Sequence, residues 1–407
     1  MERGRQRTKR GDFDFIFWEN AQPKPHNIVA LTGVGTHCSD GRRNACPCTQ
    51  FRPWTMKKFP PPPLRILDHD SAGIFLGLHK ALVTQSSVFV LGSGVSATAG
   101  APTWTQLLEK IRLAFYSHID SVQLRRSMPA QPISIALRDI SNRSRALAAV
   151  SVDHDPLLAA QLIQNCVKTS DWKYLVRKLI YDETNDLPSE SLKSLARLCR
   201  LTPMLSGVIN FNYDDLFERN LPSFGIEPSV LTLLNTLPKK GTLPVYHPHG
   251  WLPQGGGQDT DIVLSETDYG GQSATPYSWS NVIQIATYTS HTAVFVGCSM
   301  TDPHLRTLLR ATAATKARPH FAFLPSSANR SDANRLAESL FDNDLVTMRI
   351  KPIRYPVSPI REKEHDALWY LLRLLGDGLE DESVLGLSKK KAKAIQTPTA
   401  TEGQHPS

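Results

Sequence analysis

The stretch "VFVLGSGVSATAGAPTW", residues 88 to 104, sets a run of apolar residues directly against Gly92, Ser93, Gly94 and Ser96. Gly92, Gly94 and Ala97 satisfy the loose form G-x-G-x-x-[GA] after a strand. Glycine lets a backbone come close to a pyrophosphate, and amide groups at the start of a following helix can hold the anion. The same pattern also fits an ordinary strand-to-helix turn. No second strand ending in an acidic residue follows about 20 residues on, where a hydride-transfer enzyme would want one for the ribose. The turn points to a dinucleotide, but not to a dehydrogenase.

Three further apolar runs end in polar residues. "GVINFNYDDLFERN" runs into Asn212, Tyr213 and Asp214, "VYHPHGWLP" ends at His249-Gly250, and "AVFVGCSMTDPHL" ends in Gly297-Cys298-Ser299 before Asp302-Pro303. In a parallel sheet all four polar ends emerge at one edge, outside the carboxyl ends of the strands, where such sheets bind ligands. Plainer readings stand beside this one. Asp214 and Asp215 also suit a helix N-terminus, and Asp302-Pro303 reads as an N-cap and first-turn proline whatever the ligand does. Trp104 fits a core as well as a lid, and His247, His291 and His304 read as structural or solvent-facing.

The elements that must position these residues alternate along the chain. Strands are expected near 87–92, 205–210, 243–247, 293–297, 319–324 and 346–352. Helical patterns fall near 71–84, 103–119, 155–181, 188–200, 276–290, 302–314, 329–341 and 363–375. Short apolar strands separated by helices predict an α/β fold, a Rossmann-like and mostly parallel sheet with helices on both faces. The stretch from about 105 to 200 is nearly all helical and predicts a helical insertion after the first strand. Residues 1–65, basic and ending in Pro60–Pro63, are expected to be a disordered leader. Residues 66–376 form the folded domain, and residues 377–407 a polar tail.

The formal net charge of +8 belongs mostly to that leader, which holds 12 Lys/Arg against 5 Asp/Glu, so direct nucleic-acid binding by the folded part is not expected. No uncharged apolar run approaches the ~18 residues of a membrane span. The leader has no apolar segment of the secretory kind. Six cysteines occur without a C-x-x-C pair, which argues against a zinc ribbon and for a reducing, cytoplasmic setting.

Together the four turns resemble the sirtuin, or SIR2-like, family. Its first-turn pattern GAGxSxxxGxPxF is similar to "GSGVSATAGAPTW" in register from Gly92 to Trp104. Its Asn-x-Asp turn, His-Gly pair and Gly-x-Ser turn resemble Asn212–Asp214, His249-Gly250 and Gly297–Ser299. The variants "NYDD" and "VGCSMTDPHL" look closest to the NAD-hydrolysing sirtuin-like effectors of bacterial anti-phage defence. Deacylases of the family carry a four-cysteine zinc module after His-Gly and an Arg in the first turn. Here the segment "WLPQGGGQDTDIVLSETDYGG" has no Cys, and Thr105 replaces the Arg.

The resemblance implies an NAD glycohydrolase giving ADP-ribose and nicotinamide, with NAD as substrate and no zinc. The catalytic residues would be Asn212, on the ribose hydroxyls or the attacking water, and His249, a general base with a pKa near neutrality. Gly92, Ser93, Gly94 and Ser96 would hold the diphosphate and Asp214 the carboxamide. Trp104 would stack over the nicotinamide side, with Gly297, Ser299 and Asp302 toward the adenosine end. The rival readings are an NAD-dependent deacylase or ADP-ribosyltransferase, and a non-catalytic NAD- or ADP-ribose-sensing module. An unregulated NAD hydrolase would kill its host. A homo-oligomer is therefore expected, packed through the helical insertion, with an activating protein partner or nucleotide signal.

Overall fold

The computed structural model describes residues 62–111, 156–165, 169–182, 184, 189–315, 318–327, 331–358 and 365–387. All of them lie in the unit Lys58–Ser407. The expected leader up to residue 61, the middle of the helical insertion and the tail from residue 388 lie outside the described residues.

Helix α1 (His69–Thr84) starts where the Asp68 carboxylate accepts from the Ser71 amide at 2.7 Å. It delivers the chain to strand β1 (Ser87–Leu91), all of whose residues are buried. A short turn of helix, α2 (Ser93–Ala97), follows directly. Next come helix α3 (104–111), α4 (Pro156–Gln164), α5 (Thr169–Tyr181) and α6 (Glu190–Leu201) before strand β2 (Leu205–Asn210). Strands β3 (Pro228–Leu231) and β4 (Leu243–Tyr246) precede helices α7 (Glu266–Ala274) and α8 (Trp279–Ser290). The chain then alternates through β5 (Thr292–Val296), α9 (Pro303–Ala313), β6 (His320–Ser326), α10 (Asp332–Thr347), β7 (Ile350–Pro356) and α11 (Asp366–Glu380).

The seven strands form one sheet in the order β3-β4-β2-β1-β5-β6-β7, and every pairing is parallel. Alternate residues of each strand face opposite layers. Phe89, Leu91, Val294, Val296, Phe321 and Phe323 pack under α1, α6 and α11. Val88, Val90, Ala293, Phe295 and Ala322 pack against Tyr288 of α8, Leu305 of α9 and Leu345 of α10. The sheet grows in both directions from β1, toward β2 on one side and β5 on the other. That reversal opens a crevice at the carboxyl ends.

The elements differ from expectation in three places. Strand β3 has no apolar run to announce it, since it sits at the sheet edge and buries only Ser229 and Leu231 fully. Helix α7 is polar, contains Gly270 and Gly271 and buries no residue fully; it forms because Ser265 and Asp268 make a reciprocal capping box. The last strand begins at Ile350 rather than 346, because Val346 and Thr347 finish α10 and Arg349 turns the chain at a φ of 61°. Packing also continues past residue 376, with Leu385 buried against Gly378.

Candidate active site

Leu91 lies beside Asn210 in β2 and Val296 in β5, so the turns after β1, β2 and β5 leave the sheet level with one another. The Gly92 amide donates to Val296 O at 3.0 Å and the Gly94 amide to Gly297 O at 3.1 Å. Gly297 has a φ of 68°, and a Cβ there would stand 2.6 Å from the Val95 nitrogen. A Cβ on Gly92 would stand 2.5 Å from Gly297 O. The glycines thus let two turns pack backbone on backbone, and the Gly92 and Gly94 amides are already engaged by protein carbonyls. Gly297→Ala combines left-handed strain with overpacking and is expected to cost about 2 kcal/mol of unfolding free energy, measured by denaturant titration.

Asn212 is buried in the next turn. Its Nδ2 donates to Gly92 O at 3.2 Å and to Ser96 Oγ at 3.0 Å, which leaves Oδ1 without a donor among the described residues. Ser96 Oγ donates in turn to Asp214 Oδ1 at 3.0 Å, which also accepts from the Leu216 amide. The chain Asn212–Ser96–Asp214 ties the first two turns into one polar cluster. Burial, then the charge of Glu218, raises the Asp214 pKa to about 6, although both hydrogen bonds oppose the rise. The neighbouring carboxylate takes a different path, since Asp215 accepts from the Tyr181 hydroxyl at 2.8 Å and belongs to the helical layer. Tyr213, between the two site residues, is inserted into that layer with Leu107, Ile111, Trp172, Val176 and Leu252.

His249 packs tilted against Phe211 at 4.8 Å between ring centroids and meets Tyr269 of α7 edge-on at 5.6 Å. Neither ring nitrogen has a hydrogen-bond partner among the described residues. Burial lowers its pKa to about 4, with Asp302 pulling upward and His304 downward. The expected near-neutral pKa is therefore corrected: the ring is neutral at physiological pH, an acceptor but a weaker base than free imidazole. The Gly250 that follows has a φ of 94°, and a Cβ there would fall 2.1 Å from Asp261 O, so the loop crossing behind it explains the His-Gly pair.

Asp302 caps α9, accepting from the Leu305 amide at 2.9 Å, and lies close enough to influence both His249 and Tyr269. The remaining expected residues stand apart from this cluster. Ser299 is exposed and hydrogen-bonds Thr301, Ser93 is half-buried at the head of α2, and Trp104 packs on the helical cluster, its Nε1 without a partner among the described residues. His304 is buried and bonded to Asn281 Oδ1 at 2.7 Å rather than facing solvent. Sequence reading missed Phe211, Tyr269 and a buried set behind Asn212, made of Asn210, Glu218 and His247. Only the first histidine of "HPHG" hinted at that set.

An all-parallel sheet, a growth reversal at β1 and polar turns gathered at its carboxyl edge define a Rossmann-like α/β fold with a nucleotide-type crevice. Residues 206–343, from β2 into α10, match the family model of the SIR2-like domain. The match covers the Asn212, His249 and Gly297 turns and supports a sirtuin-like chain with NAD-related activity. No curated protein matches the sequence. Among the described residues no group of three or more His, Cys, Asp or Glu could hold a metal ion, and no helix is long and apolar enough to cross a membrane.

Proposed function

We propose that the chain is an NAD glycohydrolase that converts NAD and water to ADP-ribose, nicotinamide and a proton. The observation that carries this reading is the Asn212–Ser96–Asp214 cluster at the sheet's crossover, with the neutral ring of His249 against Phe211, the residue before Asn212. Loss of nicotinamide leaves an oxocarbenium-like ribose, which needs an oriented water on its far face. Asn212 Oδ1 and the His249 ring are the open acceptors for that water or for a ribose hydroxyl. Asp214 keeps Oδ2 without a donor among the described residues, in place to accept from the nicotinamide carboxamide. With two glycine amides engaged, Ser93 is the group of the first turn left to meet the diphosphate. We assign Trp104 to the nicotinamide side and Ser299 and Asp302 to the adenosine end, the roles that the sirtuin resemblance implies.

The segment from Trp251 to Gly271 has no cysteine where a deacylase would hold zinc. Hydrolysis is therefore expected to persist at full rate in EDTA or a stronger zinc chelator, and a rate lost to chelation and restored by zinc would reverse that assignment.

In the cell we assign the activity to an abortive-infection effector of the cytoplasm, assembled through the helical layer and released by a partner or nucleotide signal. Cellular NAD should collapse on phage challenge with the wild-type chain and hold steady with Asn212→Ala. Constant NAD in challenged wild-type cells would contradict the assignment.

A further inference from the structure

We propose that Glu218 and His247 are positioning residues for Asn212, gripping its main chain from behind and so setting the aim of its side-chain amide. His247 is 1% exposed; its Nδ1 lies 3.0 Å from Asn212 O and its Nε2 3.0 Å from Glu218 Oε1. The same Oε1 accepts from Asn210 Nδ2 at 3.0 Å, and Asn210 Oδ1 accepts from the Asn212 amide at 3.1 Å. Both main-chain polar groups of Asn212 thus end, through one side chain each, on a single carboxylate oxygen.

The proton count is fixed by the partners. A carbonyl only accepts, so Nδ1 must carry a proton, and Nε2 then shares a second proton with Glu218. Both ring nitrogens are thus held as donors, one to the carbonyl and one to the carboxylate. Glu218 Oε2 is buried with no partner among the described residues, which costs stability that a packed apolar side chain would not cost. A costly buried pair placed directly behind the proposed water-orienting residue fits positioning better than packing. Misplacing a reacting group by about 1 Å can cost ~10²-fold in rate.

The kinetic part rests on the NAD-hydrolase reading; the structural part does not. Glu218→Gln keeps shape but removes the charge that lets the ring donate at both nitrogens. It is expected to lower kcat ~10-fold or more while KM for NAD moves less than ~3-fold and the melting temperature holds. His247→Asn restores an amide N–H where Nδ1 stood and should recover much of the kcat that His247→Ala loses. Crystal structures of Glu218→Gln and His247→Ala should show the Asn212 amide displaced from Gly92 O. A Glu218→Gln kcat within ~2-fold of wild type would overturn the proposal, on the same scale of positioning effects. So would an undisplaced Asn212 in His247→Ala. A wild-type protein that releases no nicotinamide would instead sink the hydrolase reading, and the crystal structures alone would then decide the positioning.

Discussion

Asn212→Ala is expected to lower kcat for nicotinamide release by ~10²-fold or more while the protein still folds, as is His249→Ala. Removing the Asn212 amide deletes the donor that joins Gly92 O to Ser96 and the open Oδ1. Removing the His249 ring deletes the acceptor held between Phe211 and Tyr269. Neither side chain is part of the two sheet cores, so melting temperatures should stay close to wild type. His291, at the amino end of β5 and thus the far edge of the sheet, is the fitting control. His304 is not, because its charge state bears on His249. Steady-state kinetics at saturating NAD decides it, and a near-wild-type kcat in either variant removes that residue from the chemistry.

Asp214→Asn should do two opposite things. The folded pKa of about 6 stands above the ordinary 3.8, so ionising Asp214 opposes folding. A raised carboxyl favours the fold fully below about pH 3.8, and that contribution is lost as pH rises through about 6. At neutral pH the lost contribution is about 3 kcal/mol. Asparagine keeps an oxygen for Ser96 and Leu216 and drops the charge, so the variant should be more stable by up to that amount at about pH 7.5 and lose its advantage near about pH 4. Hydrolysis should fall, because the amide no longer presents an ionised oxygen to the carboxamide. Denaturant titrations at the two pH values test the sign. A variant no more stable than wild type at neutral pH would mean that Asp214 carries no strained charge.

The parts of this architecture that were legible in the sequence are those with a one-dimensional signature. β1 and β5 are fully buried and announce themselves as apolar runs, and the polar turns at their ends follow in register. The SIR2-like match over residues 206–343 agrees with the resemblance carried by the Asn212, His249 and Gly297 turns. What escaped depends on partners distant in sequence. Helix α7 owes its existence to a capping pair and to contacts with Pro248, Asn281 and His249, none of which makes a periodic pattern. Glu218 follows Asp214 and Asp215, which read as a helix start, and only the fold shows it buried against His247. The burial that lowers the His249 pKa likewise comes from Phe211 and the chain around it, not from its own neighbours.

The most direct test of the account is mass spectrometry of the products that the activated wild-type protein makes from NAD in heavy-oxygen water. The account predicts equal amounts of nicotinamide and free ADP-ribose, with one heavy oxygen on the anomeric carbon of the ribose, and ~10²-fold less of each from Asn212→Ala in the same time. ADP-ribose attached to protein or transferred to an acyl group, or NAD left intact by the activated protein, would contradict it.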